Sequence, residues 1–230
     1  MKRVFRNIAE SVFNIDAWVA FLALCFFSLT AIAFQQYFIL TDEVYFNTLG
    51  EQLAYERIET MLDNQRKYAW LSYALVPLLL IMQIFLITLC LNIGTLLMEH
   101  PEKGGRGDKV SFRKLFALTT KVLIIPVFFK LVMVGMTYFF YDIKSFSDLS
   151  NVFSFSLINL FDVANLPAWL QYPLATINMV EMIFWLLLAS GIRLLLNMNL
   201  GRSISFVGYT YGVGLVMWML FVVFLQVSLS

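Results

Sequence analysis

The stretch VLIIPVFFKLVMVGMTYFFY, residues 122–141, decides how this chain is read. It has the length of roughly 20 apolar residues that a helix needs to cross a bilayer. Yet Lys130 stands in its middle. On insertion scales an ammonium at that depth costs about 3 kcal/mol. Either the stretch is not a span, or Lys130 has a partner elsewhere in the chain.

Composition settles the first alternative. Of 230 residues, 60% are hydrophobic and 17% aromatic, 13% are charged, and the mean hydropathy is +0.79. Soluble domains are about a quarter charged, and a soluble globule of this length leaves most positions facing water. The chain reads as an all-α, polytopic integral membrane protein. Five segments meet the length requirement: about 18–39, 68–98, 116–141, 172–196 and 206–227. Each is too long and too evenly apolar for a barrel strand, which alternates over about ten residues. Pro126 is expected to kink the third span. The second is long enough that it must tilt or project beyond the bilayer.

Lys and Arg give the sidedness. With residues 1–17 as a short cytoplasmic segment, Lys2, Arg3, Arg6, Lys103, Arg106, Lys109, Arg113, Lys114, Lys121, Arg193 and Arg202 lie inside, against Arg57, Arg66, Lys67 and Lys144 outside. The expected topology therefore has the N-terminus cytoplasmic and the C-terminus outside. Trp18 marks one interface, while Tyr37, Trp70, Tyr73, Tyr138, Tyr141, Trp169 and Tyr172 gather at the other. A rival reading makes the first span a leader cleaved after Ala31-Ile32-Ala33. Glu10 and Asp16 and the long apolar core speak against it.

The outer loops, 40–67 and 142–171, carry structure of their own. Ala54, Ile58, Met61 and Leu62 recur at helical spacing among charges. They imply a helical extension into the second span or a short amphipathic helix. Residues 145–171 are too polar to span and too apolar for a free loop, which leaves an interfacial or re-entrant segment or a packed cap on the bundle.

Depth suggests where the lysine goes. Lys130 lies roughly 16 Å inward of Tyr141, and Glu181 roughly 13 Å inward of Tyr172. Consecutive antiparallel spans pack side by side by default. An intramembrane Lys130–Glu181 pair is therefore expected. The alternative has Lys130 reaching for the inner interface and a protonated Glu181 bonding a local carbonyl.

Other chemistry is sparse. Cys25 and Cys90 form no metal spacing, His100 beside Glu99 reads as a solvated interface residue, and no nucleophile elbow or HExxH occurs. No catalytic, cofactor or metal residue is expected, and a net charge of +1 without a basic aromatic run offers nothing to nucleic acid. Gly208 and Gly212 form a GxxxG that favours close helix packing. The inner loop places Lys103, Arg106, Lys109, Arg113 and Lys114 near the membrane, suited to anionic lipid head groups or a cytosolic partner.

The same loop carries a resemblance. GGRGDKVSFRKLFALTTKVLIIP, Gly104 to Pro126, runs from a glycine-rich turn through Ser-Phe-Arg to a proline in the next span. Together with PLATINMVEMIFWLLLASG, Pro173 to Gly191, it resembles the Yip (Ypt/Rab-interacting) family of five-pass membrane proteins, above all its bacterial-type members. The resemblance implies a bacterial inner-membrane protein without catalytic residues. Many contact surfaces and no reactive constellation lead to the expectation of an accessory subunit in a secretion, insertion or trafficking complex, contacting other integral membrane proteins and lipids. A small transporter or channel using Lys130 and Glu181, or a lipid-binding or membrane-shaping protein, stands as the alternative.

Overall fold

The computed structural model describes residues 16–50, 53–98, 110–141, 143–144, 156–161 and 166–229, except for the side chains of Ala168 and Leu229. Helix α1 (Ala17–Phe34) ends in a π-helical turn, Gln35–Ile39. Next come α2 (Asp42–Leu49), α3 (Tyr55–Met98), α4 (Phe112–Phe140) and a 3-10 turn, Leu157–Leu160. Helices α5 (Ala168–Thr176), α6 (Met179–Leu196) and α7 (Leu200–Val207) follow. A second π-helical turn, Gly208–Gly212, leads into α8 (Val213–Leu229). Five helices are long and apolar enough to cross a membrane: Ala17–Ile39, Tyr55–Met98, Phe112–Phe140, Met179–Leu196 and Leu200–Ser228.

The surface explains what solvent this fold suits. Leu78, Phe85, Leu97, Phe139, Met217, Leu220 and Phe224 are all exposed, an apolar covering far beyond the patch sizes of soluble monomers. Inside it, Leu80, Ile84 and Leu91 of α3 meet Leu115, Leu118 and Val122 of α4, with Phe184, Leu188 and Ile192 of α6 closing the core. Helix α1 lies along α4, with Phe27 edge-on to Phe128 at 5.7 Å and Phe34 to Tyr138 at 5.5 Å. Ala20, Leu24 and Ala31 of α1 are fully enclosed, so this helix is part of the packed bundle and not an appendage to it. Pro126 sits within α4 without ending it.

The described part of residues 40–67 folds as α2 and the first turns of α3. Ile58 and Leu62 are buried as their spacing requires, against Val44 of α2, while Met61 is exposed. The extension runs without a break into the apolar part of α3, whose 44 residues measure about 66 Å. Phe46 stacks on Tyr55 at 4.7 Å, and Arg66 bonds Asp42.

The expected fourth span, 172–196, is not one helix. It breaks at Ile177–Asn178. Asn178 adopts an extended backbone (φ −134°, ψ 168°), and its side-chain oxygen accepts the Glu181 N–H at 2.8 Å. Its amide donates back to the carbonyls of Ala175 and Thr176. One side chain thus satisfies polar groups on both sides of the gap, which matters where each open backbone group costs several kcal/mol. The Ile177 carbonyl accepts from Leu157 N–H at 3.0 Å, and Ser156 and Asn178 form an antiparallel bridge. The described part of loop 142–171 therefore docks on the break. Residues 145–155 and 162–165 lie outside the described residues.

Asn197 turns α6 into α7 with a left-handed backbone (φ 50°, ψ 41°), a conformation asparagine tolerates well. The Gly208/Gly212 pair behaves differently from a symmetric packing motif. A Cβ at Gly212 would stand 2.7 Å from the Trp185 ring, whereas one at Gly208 would meet nothing within 4 Å. Gly214 instead approaches Cys90. Close approach thus rests on Gly212 and Gly214. Gly212→Ala is expected to destabilise the protein by about 1–3 kcal/mol through overpacking, while Gly208→Ala leaves stability unchanged or slightly raised. Unfolding midpoints of the two variants in non-ionic detergent check this, and equal losses would contradict the packing described.

Candidate functional site

Glu181 is the third residue of α6 and so faces the end of the helix where backbone N–H groups are unpaired and favour negative charge. Two donors hold its side chain. The Trp185 indole N–H donates to Oε1 at 2.8 Å from one turn further along α6. The Tyr211 hydroxyl donates to the same oxygen at 2.7 Å from the π-helical turn. Tyr211 in turn packs edge-on against Phe184 and Trp185, at 5.4 and 5.8 Å. Both donors converge on Oε1, and among the described residues no donor reaches Oε2. A carboxylate offers about four acceptor positions, so half of its capacity stays open.

Glu181 lines a groove of about 670 Å³. Met82, Gln83, Leu86, Ile87 and Cys90 of α3 form one wall, and Gly214, Leu215, Met217, Trp218 and Phe221 of α8 form the other. Glu181, Tyr211 and Tyr172 make the polar floor. Trp218 is tied to that floor by its indole N–H, which donates to the Tyr172 hydroxyl at 2.9 Å. The outward residues Met82, Leu86, Met217 and Phe221 are all exposed. The groove therefore opens sideways between α3 and α8, through an apolar mouth, onto a polar base.

The π-helical turn is what brings Tyr211 here. Such turns insert one extra residue per helical turn and recur at functional sites. Gly94 of α3 makes room for it, since a Cβ there would collide with Thr210 and Phe206.

The remaining expected site residues fall as follows. Lys130 and Glu181 do not pair. Lys130 is exposed on α4 and makes no ion pair among the described residues, while Glu181 already holds two donors from α6 and the π-helical turn. The expectation assumed a continuous fourth span and neutralisation by the nearest opposite charge. Instead the helix restarts at Met179, and neutral hydrogen-bond donors answer the carboxyl. Arg113 and Lys114 are exposed at the start of α4, but Lys103, Arg106 and Lys109 lie outside the described residues, as does His100. The role of Tyr211 and Trp185 went unread, although Asn178 followed three residues later by Glu181 ahead of an apolar run is a helix-start signature.

No protein-family model, curated protein or solved structure matches this chain.

Two double-mutant cycles check the geometry. Lys130→Met combined with Glu181→Gln is expected to be additive within about 0.5 kcal/mol, as for groups without a shared partner. Glu181→Gln combined with Tyr211→Phe is expected to deviate from additivity by about 1 kcal/mol. Both are read from unfolding free energies in detergent. Strong coupling in the first cycle would restore the ion pair. Separately, Asn178→Ala should lower stability by about 1 kcal/mol, with Asn178→Asp retaining most of it.

Proposed function

We propose that this chain is a five-span protein of a bacterial cytoplasmic membrane, with its N-terminus inside, that serves without catalysis as an accessory subunit of a membrane-protein complex. The observation that carries this reading is the state of α8. Beyond the π-helical turn its side chains are apolar as far as Leu225, with Gln226 and Ser228 near the end, and Met219 is the one described residue of the helix that is buried. A helix packed into its own bundle keeps one covered stripe, and association within a bilayer comes from van der Waals packing of such stripes. Helix α8 touches α5 and α3 along one side and leaves most of its remaining apolar surface exposed, which suits a transmembrane helix of another integral membrane protein.

The sidedness follows from the charges at the two ends of the bundle. Arg113, Lys114, Arg193 and Arg202 stand at one end. Asp42, Glu43, Glu56, Glu59 and Asp63 stand at the other, on α2 and the start of α3. Basic residues stay in the cytoplasm. The likeness of Gly104–Pro126 and Pro173–Gly191 to the Yip family points toward trafficking or membrane organisation in the same way.

A photo-crosslinking residue placed at Leu220 or Phe224 of α8, in living cells, tests the proposal. Adducts with a discrete integral membrane protein are expected there, and not from Phe139 on α4. Adducts with lipid alone at all three positions would overturn the accessory role. A reporter fused after Ser230 should be active only outside the cytoplasm.

A further inference from the structure

The groove between α3 and α8 has an unusual balance of chemistry. Among the described residues it is lined by one carboxyl group, whose Oε2 has no donor, and by no lysine, arginine or histidine. Tyr211 bonds that carboxyl, and the rings of Tyr172, Trp218 and Phe221 line the same groove. Aromatic faces attract cations through their quadrupoles, and desolvated contacts of this kind are worth about 2 kcal/mol. A cation brought beside Glu181 favours the ionised carboxylate, and the pair then attracts more strongly in apolar surroundings than in water. For an anionic head the same surroundings are repulsive, with no base to offset the carboxyl.

We propose that this groove is a binding site for a lipophilic organic cation, whose charge rests between Glu181 and the rings of Tyr172, Tyr211 and Trp218. The apolar part of such a molecule lies against Met82, Leu86 and Met217, where the groove opens sideways. Its volume of about 670 Å³ falls within the range of small-molecule pockets. The sideways opening gives a ligand dissolved in the bilayer a route in that crosses no polar headgroup layer. This inference needs the membrane placement proposed above but not the accessory role, because it concerns the isolated chain.

Tetraphenylphosphonium and tetraphenylborate are matched probes, alike in size and shape and opposite in charge. Their binding to the purified full chain in maltoside micelles is read from quenching of tryptophan fluorescence. It is also read from protection of Cys90 against a maleimide in a Cys25→Ser background. The cation is expected to bind and protect Cys90, and the anion to bind at least about tenfold more weakly. Glu181→Gln keeps an oxygen for Trp185 and Tyr211, so it should fold, and it is expected to weaken the cation by about tenfold or more. Met217→Trp fills the mouth at an exposed position and is expected to abolish protection of Cys90. Equal binding of the two ions, or unchanged cation binding in either variant, would overturn the proposal. Cation binding without any crosslinked partner at α8 would uphold this site while removing the accessory role.

Discussion

The fold depends on how one gap in an apolar helix is closed. Where water is absent, a broken helix exposes amides and carbonyls that nothing in the surroundings can satisfy. Asn178 closes the gap between α5 and α6 from both directions, accepting from the Glu181 backbone and donating to Ala175 and Thr176. The 3-10 turn adds the bond from Leu157 to Ile177. Because the break is sealed, α6 can begin inside the bundle with its own first turn. Glu181 occupies that turn, so the cap that stabilises the gap also sets where the carboxyl stands.

A second irregularity completes the arrangement. An uninterrupted α-helix from Leu200 onward would carry Tyr211 in a different direction. The wider turn at Gly208–Gly212 swings its hydroxyl onto Glu181. Three glycines make the swing sterically possible: Gly94 beneath Thr210, Gly212 beneath Trp185 and Gly214 beneath Cys90. A broken helix and a widened helix thus meet at one carboxyl oxygen. Neither departure from regular geometry is explained by its own segment, but together they hold a polar floor under an apolar groove.

This division also explains what could be read from the residues in order. Span length is a one-dimensional constraint, so α1, α4 and the apolar part of α3 follow directly from the apolar runs 18–39, 116–141 and 68–98. The helical extension through Ile58 and Leu62 was legible for the same reason, as a local period among charges. The break at Asn178 left a signal, Asn178 with Glu181 three residues on, but the surrounding apolar length outweighed it. The π-helical turn left none. It is accommodated by Gly94 on α3, Gly212 in the turn itself and Gly214 on α8, and no local period announces it. The meeting of Tyr211 and Trp185 on one oxygen therefore required the three-dimensional structure.

The fate of Lys130 shows why counting charges misleads inside an apolar bundle. A lone ammonium and a lone carboxyl at similar depth suggest each other, yet pairing them must overcome the desolvation of both. Glu181 instead finds neutral donors already fixed by packing: an indole one turn away on its own helix and a phenol clasped between Phe184 and Trp185. Those donors spend little conformational freedom on the bond, because two aromatic rings in a packed core have few other orientations. A lysine would have to order four carbon–carbon torsions and carry its full charge inward. Lys130 stays exposed on α4, where a long flexible stem lets an ammonium reach toward a polar interface. The carboxyl then keeps one oxygen without a donor among the described residues and lines an aromatic groove in which no described cation sits, which is the condition under which a cation from outside is the complement that fits.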